Sequence, residues 1–187
     1  MDDGSSDNTA EIVRTFSSID TRISYHYAKN QGAAAARNLG CSFAKGKYYA
    51  FLDSDDDYLP RHLSIRAKMI SAEPAIELLY GNVEVIGDPM VTDCFDPSKQ
   101  IPISECIAGG TFFIRRDLFK RLGGFADIPY ADDNDFFRRA TDHGALIRKV
   151  DTATYRYYRT EDDSLCAIVT HDGIAGIEKL RTNAERI

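Results

Sequence analysis

Four carboxylates, Asp53, Asp55, Asp56 and Asp57, fall within five positions at the end of the apolar run Tyr48–Leu52. Like charges this close repel and raise one another's pKa unless a cation sits among them. Asp53 and Asp55 are two residues apart, so an extended turn leans both to one side. A small number of hard oxygen donors suits Mg2+ or Mn2+ held jointly with phosphate groups. A calcium EF-hand loop beginning at Asp53 would put Tyr58 where the sharp turn needs Gly and Ser64 where the bidentate Glu belongs, so that reading fails. The plain alternative is a solvated acidic turn. Asp56 and Asp57 are expected to face solvent or to cap the next helix. Two other acidic groups stand out: Asp2-Asp3 before a Gly-Ser turn, and Asp132-Asp133 with Asp135 at the head of an amphipathic segment.

The elements that must position these groups alternate. Asn8 with Glu11 three residues later is a capping-box pattern, and Ile12, Val13 and Phe16 give the following helix an apolar face. Residues 22–28 alternate as a strand does. An alanine-rich helix is expected from about Gly32 to Phe43, closed by Gly46. Residues 47–53 read as a strand buried on both faces. A helix after Pro60 and a strand over 75–86 follow, so the first half predicts an α/β sheet with right-handed crossovers. Residues 86–107 lose all periodicity, and a loop of that length in a compact domain is usually functional. Beyond it come a strand or turn leading into a helix that Gly123-Gly124 ends, then a short helix over 131–144. Strands at 145–150 and 153–159 and a C-terminal helix from about Ile174 complete the reading.

The chain of 187 residues is 43% apolar and 28% charged, the profile of one soluble globular domain. A net charge of −6 excludes a nucleic-acid binder, which needs a basic face. Cys41, Cys94, Cys106 and Cys166 lack metal spacing and read as reduced thiols, and the four histidines are equally scattered. Asp2 and Asp3 after Met1 do not open a signal peptide, and no apolar run approaches the roughly 20 residues of a membrane span. The expectation is a cytoplasmic protein, with peripheral contact at the inner face of a membrane compatible with it.

Five segments occur together in order: "MDDGSSDNT" at the start, "KNQGAAAARNLG" at 29–40, "YYAFLDSDDDYLP" at 48–60, "GGTFFIRRDLFKRLGGF" at 109–125 and "YADDNDFFRR" at 130–139. Each alone is weak. Their succession resembles the family-2 glycosyltransferases, inverting enzymes of the GT-A fold that use nucleotide-diphosphate sugars, which implies a Rossmann-like α/β fold with a mixed sheet flanked by helices. The resemblance runs from residue 2 to about 165. It implies one GT-A-like domain over 1–187, with a nucleotide-binding half at 1–85, an acceptor-side half at 86–165 and a C-terminal helix at 166–187.

The resemblance also implies roles. Asp2 and Asp3 would hold the nucleotide base and ribose, although Asp3 could instead stabilise the turn with Gly4 and Ser5. Gly32 and Arg37 would lie near the nucleotide, where a helix N-terminus and an Arg favour an anion; a local salt bridge is the alternative for Arg37. Asn38 is expected to pack. Asp53 and Asp55 match the family's DxD, Asp55 as the direct metal ligand and Asp53 nearer the ribose, with Mg2+ or Mn2+ neutralising charge on the departing nucleoside diphosphate. Asp132-Asp133 stands where the family has Glu-Asp, with Asp133 the candidate base. Gly109, Gly110 and Thr111 would line the acceptor side and Asp135 would assist acceptor binding. Arg159 would contact the diphosphate. Glu161 stands where some members have a metal-binding His.

Implied partners are a nucleotide-sugar donor, with UDP-sugars the commonest, and a saccharide or lipid-linked acceptor such as a growing bacterial surface polysaccharide. Family members have a further strand and helix ahead of the first acidic pair. Without that strand both of its neighbours would expose backbone, and a second copy covering the edge is one solution. A nucleotide- or saccharide-binding module that does not turn over is the rival function, separated from the enzyme by metal-dependent transfer. A sugar nucleotidyltransferase is disfavoured, because no Gly-rich, Arg/Lys-bearing phosphate loop is visible.

Overall fold

The architecture is that of a computed structural model, which describes residues 1–96 and 98–159 and, beyond them, 168, 169, 172, 173 and 175. Helices α1 (Thr9–Ile19), α2 (Ala33–Phe43), α3 (His62–Ala72), α4 (Arg116–Arg121) and α5 (Asp132–Asp142) form where the periodicity predicts them. Strand β1 (Asp2–Asp3) pairs in parallel with β2 (Tyr27–Ala28) alone. The main sheet holds β3 (Tyr48–Ala50), β4 (Asp57–Tyr58), β5 (Leu78–Gly87), β8 (Phe113–Arg115) and β9 (Ile147–Arg159), in the order β3-β8-β5-β9-β4. Strands β6 (Met90–Thr92) and β7 (Gln100–Pro102) make an antiparallel hairpin inside the segment expected to be loop.

The sheet is mixed, as the family resemblance implies, although the alternating pattern by itself suggests parallel strands. Only β5 and β9 run together, and β3 is antiparallel to β8. A doubly buried strand and a short antiparallel one leave the same apolar signature at 47–53, so the pattern cannot set direction. The two strands expected at 145–150 and 153–159 are one, β9, bent where its register against β5 shifts between Gly81 and Val83.

Two clusters fill the interior. The larger joins Tyr49, Phe51, Phe112, Phe119, Phe125 and Phe136, and the smaller packs Ile76, Leu79 and Val150 against Ile65 and Met69 of α3. Helix α1 buries none of its residues, and its expected apolar face stands open, with Phe16 54% exposed. Its capping box does not form either. Asn8 makes no side-chain cap, and Asp7 accepts hydrogen bonds from the Thr9 backbone N–H and hydroxyl instead, at 3.0 and 2.6 Å. Among the described residues no helix is long and apolar enough to cross a membrane. The expected C-terminal helix lies outside the residues described.

Candidate active site

Arg37 is the hub. It projects from α2 and donates to Asp53 beyond β3 at 2.9 Å and to Asp132 at the head of α5 at 3.1 Å. Burial alone would weaken its charge; the two carboxylates outweigh that and hold the guanidinium more firmly protonated than usual. The salt-bridge alternative for Arg37 is therefore realised, with two acids that are 16 and 95 residues away in sequence.

The head of α5 is set by backbone geometry. Ala131, just before it, adopts the left-handed conformation at φ 59°, an uncommon one for a residue with a Cβ. The next two side chains turn inward. Asp133 accepts hydrogen bonds from the Gly109 N–H at 2.8 Å and the Asn134 N–H at 2.7 Å. Burial, and next the negative charge of Asp132, push its pKa to about 6, against the pull of those two donors. Burial also raises Asp132, opposed by Arg37. Gly109 must be glycine, because a Cβ there would stand 2.9 Å from the Cβ of Asp133.

The acidic turn does not divide as expected. Asp55 is exposed, and its carboxylate forms no hydrogen bond or ion pair among the described residues. Asp53 accepts from Arg37 Nη2 on both carboxylate oxygens, at 2.9 and 3.1 Å, and with its side chain 39% exposed keeps an open face with further lone pairs. Asp57 accepts from the Tyr158 hydroxyl at 2.9 Å. Asp56, expected to face solvent or cap a helix, is buried at 7% exposure and accepts from the Tyr155 hydroxyl at 2.6 Å and the Tyr158 N–H at 3.0 Å. Burial raises it to about 6 despite those bonds. Nothing in the spacing separates Asp56 from its neighbours; β9, about a hundred residues later, makes the distinction.

The first acidic pair divides its work. Asp2, only 6% exposed, binds the Ser5 N–H and the Tyr25 hydroxyl and so stabilises the turn, and the Tyr25 bond holds its carboxyl below the usual range. Asp3 accepts from the N–H groups of Gln31 and Gly32, at 2.9 and 2.8 Å, at the entry to α2. Gly32, at φ 91°, is the residue that turns the chain into that helix.

Three residues expected on the acceptor side or at the diphosphate have partners within the chain. Thr111 has no exposure, donates to the Ala108 carbonyl, accepts from Gly81 N–H and offers its own carbonyl to the buried Arg66. Asp135 is engaged by Arg138 and Arg139 at 2.8 and 2.7 Å, the pairing of one helix turn. Arg159 donates to the Met90 carbonyl at 2.5 Å, on the hairpin side. Gly110 lies against the Tyr155 ring, where a Cβ would come within 2.3 Å. Glu161 lies outside the described residues. Asn38, expected merely to pack, clasps Phe125 by two backbone hydrogen bonds of 2.9 Å and so fixes α2 to the loop after α4.

The described residues hold no cluster of three or more His, Cys, Asp or Glu side chains able to bind a metal by themselves. Asp55 and the open face of Asp53 nevertheless fit a hard cation that keeps part of its shell for phosphate and water, which is how Mg2+ and its like bind. A cavity of about 330 Å3 bordered by Cys41, Tyr49, Phe119 and Gly124 lies behind α2 and contains none of the carboxylates.

Comparison with known proteins fits this arrangement. The family model for glycosyl transferase family 2 matches residues 1–92. The Escherichia coli UDP-Glc:alpha-D-GlcNAc-diphosphoundecaprenol beta-1,3-glucosyltransferase WfgD is 38% identical over 140 residues, 73% of this chain and 53% of that protein. A second E. coli protein named for the same activity, WfaP, is 32% identical over 143 residues, 72% of this chain and 53% of its own. The chain thus spans about half of these two relatives, and only 10% of a Rickettsia bellii glycosyltransferase that is 43% identical over 70 residues. Among solved structures, S. aureus TarS 1-349 in complex with UDP-GlcNAc superimposes with a TM-score of 0.65 at 20% identity, over 98% of this chain and 55% of that one. The Pyrobaculum calidifontis mannosyltransferase PcManGT with GDP-Man and Mn2+ gives 0.60 at 19% identity, over 97% and 50%. The fold is the mixed α/β architecture of the GT-A glycosyltransferases.

Proposed function

We propose that this chain, which belongs to glycosyl transferase family 2, carries the transfer site of an inverting enzyme that moves a sugar from a UDP-sugar to a lipid-diphosphate-linked saccharide. The observation that carries the reading is the Arg37 bridge, which joins a carboxylate suited to the donor side, Asp53, to the acidic pair that opens α5. The activities for which the two E. coli relatives are named and the UDP-GlcNAc bound to TarS support the choice of donor and acceptor class.

In this reading residues 1–85 serve the donor. Asp3 and the entry to α2 stand at the base and ribose end, and Asp55, with the free face of Asp53, would hold Mg2+ or Mn2+. The cation would supply the positive charge that a departing diphosphate requires. Arg37 keeps Asp53 and Asp132 apart as charges while holding them close in space. The later half serves the acceptor. Asp133 takes the proton from the acceptor hydroxyl as that oxygen attacks the anomeric carbon opposite the diphosphate, and this single displacement inverts the centre. Its two N–H partners occupy one lone pair on each oxygen and orient the carboxylate, leaving further lone pairs for the proton. A pKa of about 6 leaves it ionised yet basic at neutral pH.

The test is calorimetric titration of UDP with Mn2+ and again with EDTA, followed by transfer from UDP-glucose to a GlcNAc-diphosphate lipid with NMR assignment of the product anomer. Metal-dependent binding and an inverted product are expected. A retained anomer refutes the mechanism. Binding without turnover at any pH identifies the rival, a nucleotide-binding module.

A further inference from the structure

We infer that Tyr155 is a positioning residue that locks the donor-side acidic turn to the base-side glycine turn, an assignment that rests on the proposed transfer site. Tyr155 lies on β9, 2% exposed, and belongs to neither group of acids. Its hydroxyl donates to Asp56 at 2.6 Å and accepts, at a long 3.4 Å, from the Asp53 N–H. One phenol thus contacts the turn on both sides of Asp55, the carboxylate left open for a ligand. The same end of the side chain also meets the glycine turn: a Cβ on Gly110 would fall 2.3 Å from both Cζ and the hydroxyl oxygen and 2.5 Å from Cε2, so even a methyl group would overlap. Gly110 follows Gly109, whose N–H orients Asp133. The tip of one side chain, its hydroxyl bonded to the acidic turn and its Cζ–Cε2 edge packed on Gly110, therefore sets the two halves of the site against each other.

A buried tyrosine with a satisfied hydroxyl is often no more than core, and geometry decides against that here. The partner of the hydroxyl is a buried carboxylate in the acidic turn rather than a carbonyl of the sheet. The strand itself adds a second tie, because Tyr158 N–H binds the other oxygen of Asp56 at 3.0 Å.

The two functions of the side chain can be separated by substitution. Tyr155→Phe keeps the ring on Gly110 and removes the hydroxyl; Tyr155→Ala removes both. Amide hydrogen exchange on the unliganded chain is read first. In Tyr155→Phe we expect exchange at Asp53 and Asp56 to rise at least tenfold while Thr111 and Phe112, which close the glycine turn onto Ala108 and Gly109, are unchanged. Both segments open in Tyr155→Ala. The dissociation constant for UDP with Mn2+ is expected to rise about tenfold in Tyr155→Phe. The inference is overturned if exchange at Asp53 and Asp56 stays at the wild-type rate, or if it rises equally in the β5 core, the mark of simple loss of packing. Failure of the wild-type chain to bind UDP would refute the proposed function instead, and the exchange pattern would still decide the role of Tyr155. Should Tyr155→Ala not fold, the exchange pattern of Tyr155→Phe is sufficient to support or overturn the inference.

Discussion

Replacing Asp133 by Asn should make the protein both nearly inactive and more stable. The catalytic loss follows from the role of base, which contributes about 10^2 to 10^4 in rate, or roughly 3–5 kcal/mol of barrier. The gain in stability follows from the environment. Burial and Asp132 lift Asp133 from 3.8 to about 6. The native state therefore holds this proton more tightly than the unfolded chain does, and stability falls as pH rises through that window. Above it the cost is complete, about 3 kcal/mol at 1.36 kcal/mol per unit. Asn removes the charge, yet its amide turns an NH2 toward one of the two N–H donors that Asp133 now accepts, a penalty of about 1–2 kcal/mol. The net expectation is a variant about 1–2 kcal/mol more stable at pH 8 and about 1 kcal/mol less stable near pH 4, where little but the amide penalty remains. Urea unfolding at several pH values measures it, alongside transfer rates. In the wild type, log(kcat/KM) should rise with unit slope to a plateau above pH 6. The reasoning is refuted if the variant transfers within tenfold of wild type, or if its advantage in stability is the same at pH 4 and pH 8.

Three other substitutions examine the neighbouring parts. Asp55→Ala touches no bonded group, so stability should change by less than about 0.5 kcal/mol; calorimetry should show Mn2+-supported UDP binding weakened at least tenfold, and unaltered binding would remove Asp55 from the metal. Arg37→Met strands Asp53 and Asp132 without their cation and should cost roughly 3 kcal/mol at pH 8. That loss should diminish toward pH 4 as the carboxylates protonate, and the acid limb of transfer should move to higher pH; a pH-independent loss in thermal unfolding would argue against the charge account. Asn38→Ala orphans the N–H and carbonyl of Phe125, itself 3% exposed, and should destabilise by about 2 kcal/mol or more in chemical denaturation, whereas a loss below about 0.5 kcal/mol would mean water replaces both bonds.

Local chemistry was legible in the sequence where neighbours along the chain carry it. The run before Asp53 marks a strand end, the alanine-rich segment marks α2, and Asp132-Asp133 marks the head of α5, because periodicity, propensity and capping act within a few residues. The order of the five motifs was enough to identify the family. Strand direction was not legible: burial on both faces and pairing with Phe113–Arg115 leave the same apolar signature at Tyr48–Ala50.

Identical letters also acquired different work. Asp55 and Asp56 are adjacent and of one type, yet one lies open and the other is buried against Tyr155 and Tyr158. Asp2 and Asp3 likewise divide the work, Asp2 holding the turn at Ser5 and Asp3 the entry to α2. The partners that decide these outcomes are remote, Tyr155 for Asp56 and Asp132 for Arg37. No short-range pattern encodes which distant strand or helix will arrive beside a given side chain. The sequence alone determined which residue types could do the chemistry and which elements carry them. The tertiary structure decided which acids meet a cation, a phenol or water, since burial and charge pairing, and with them each pKa, exist only once the chain has folded.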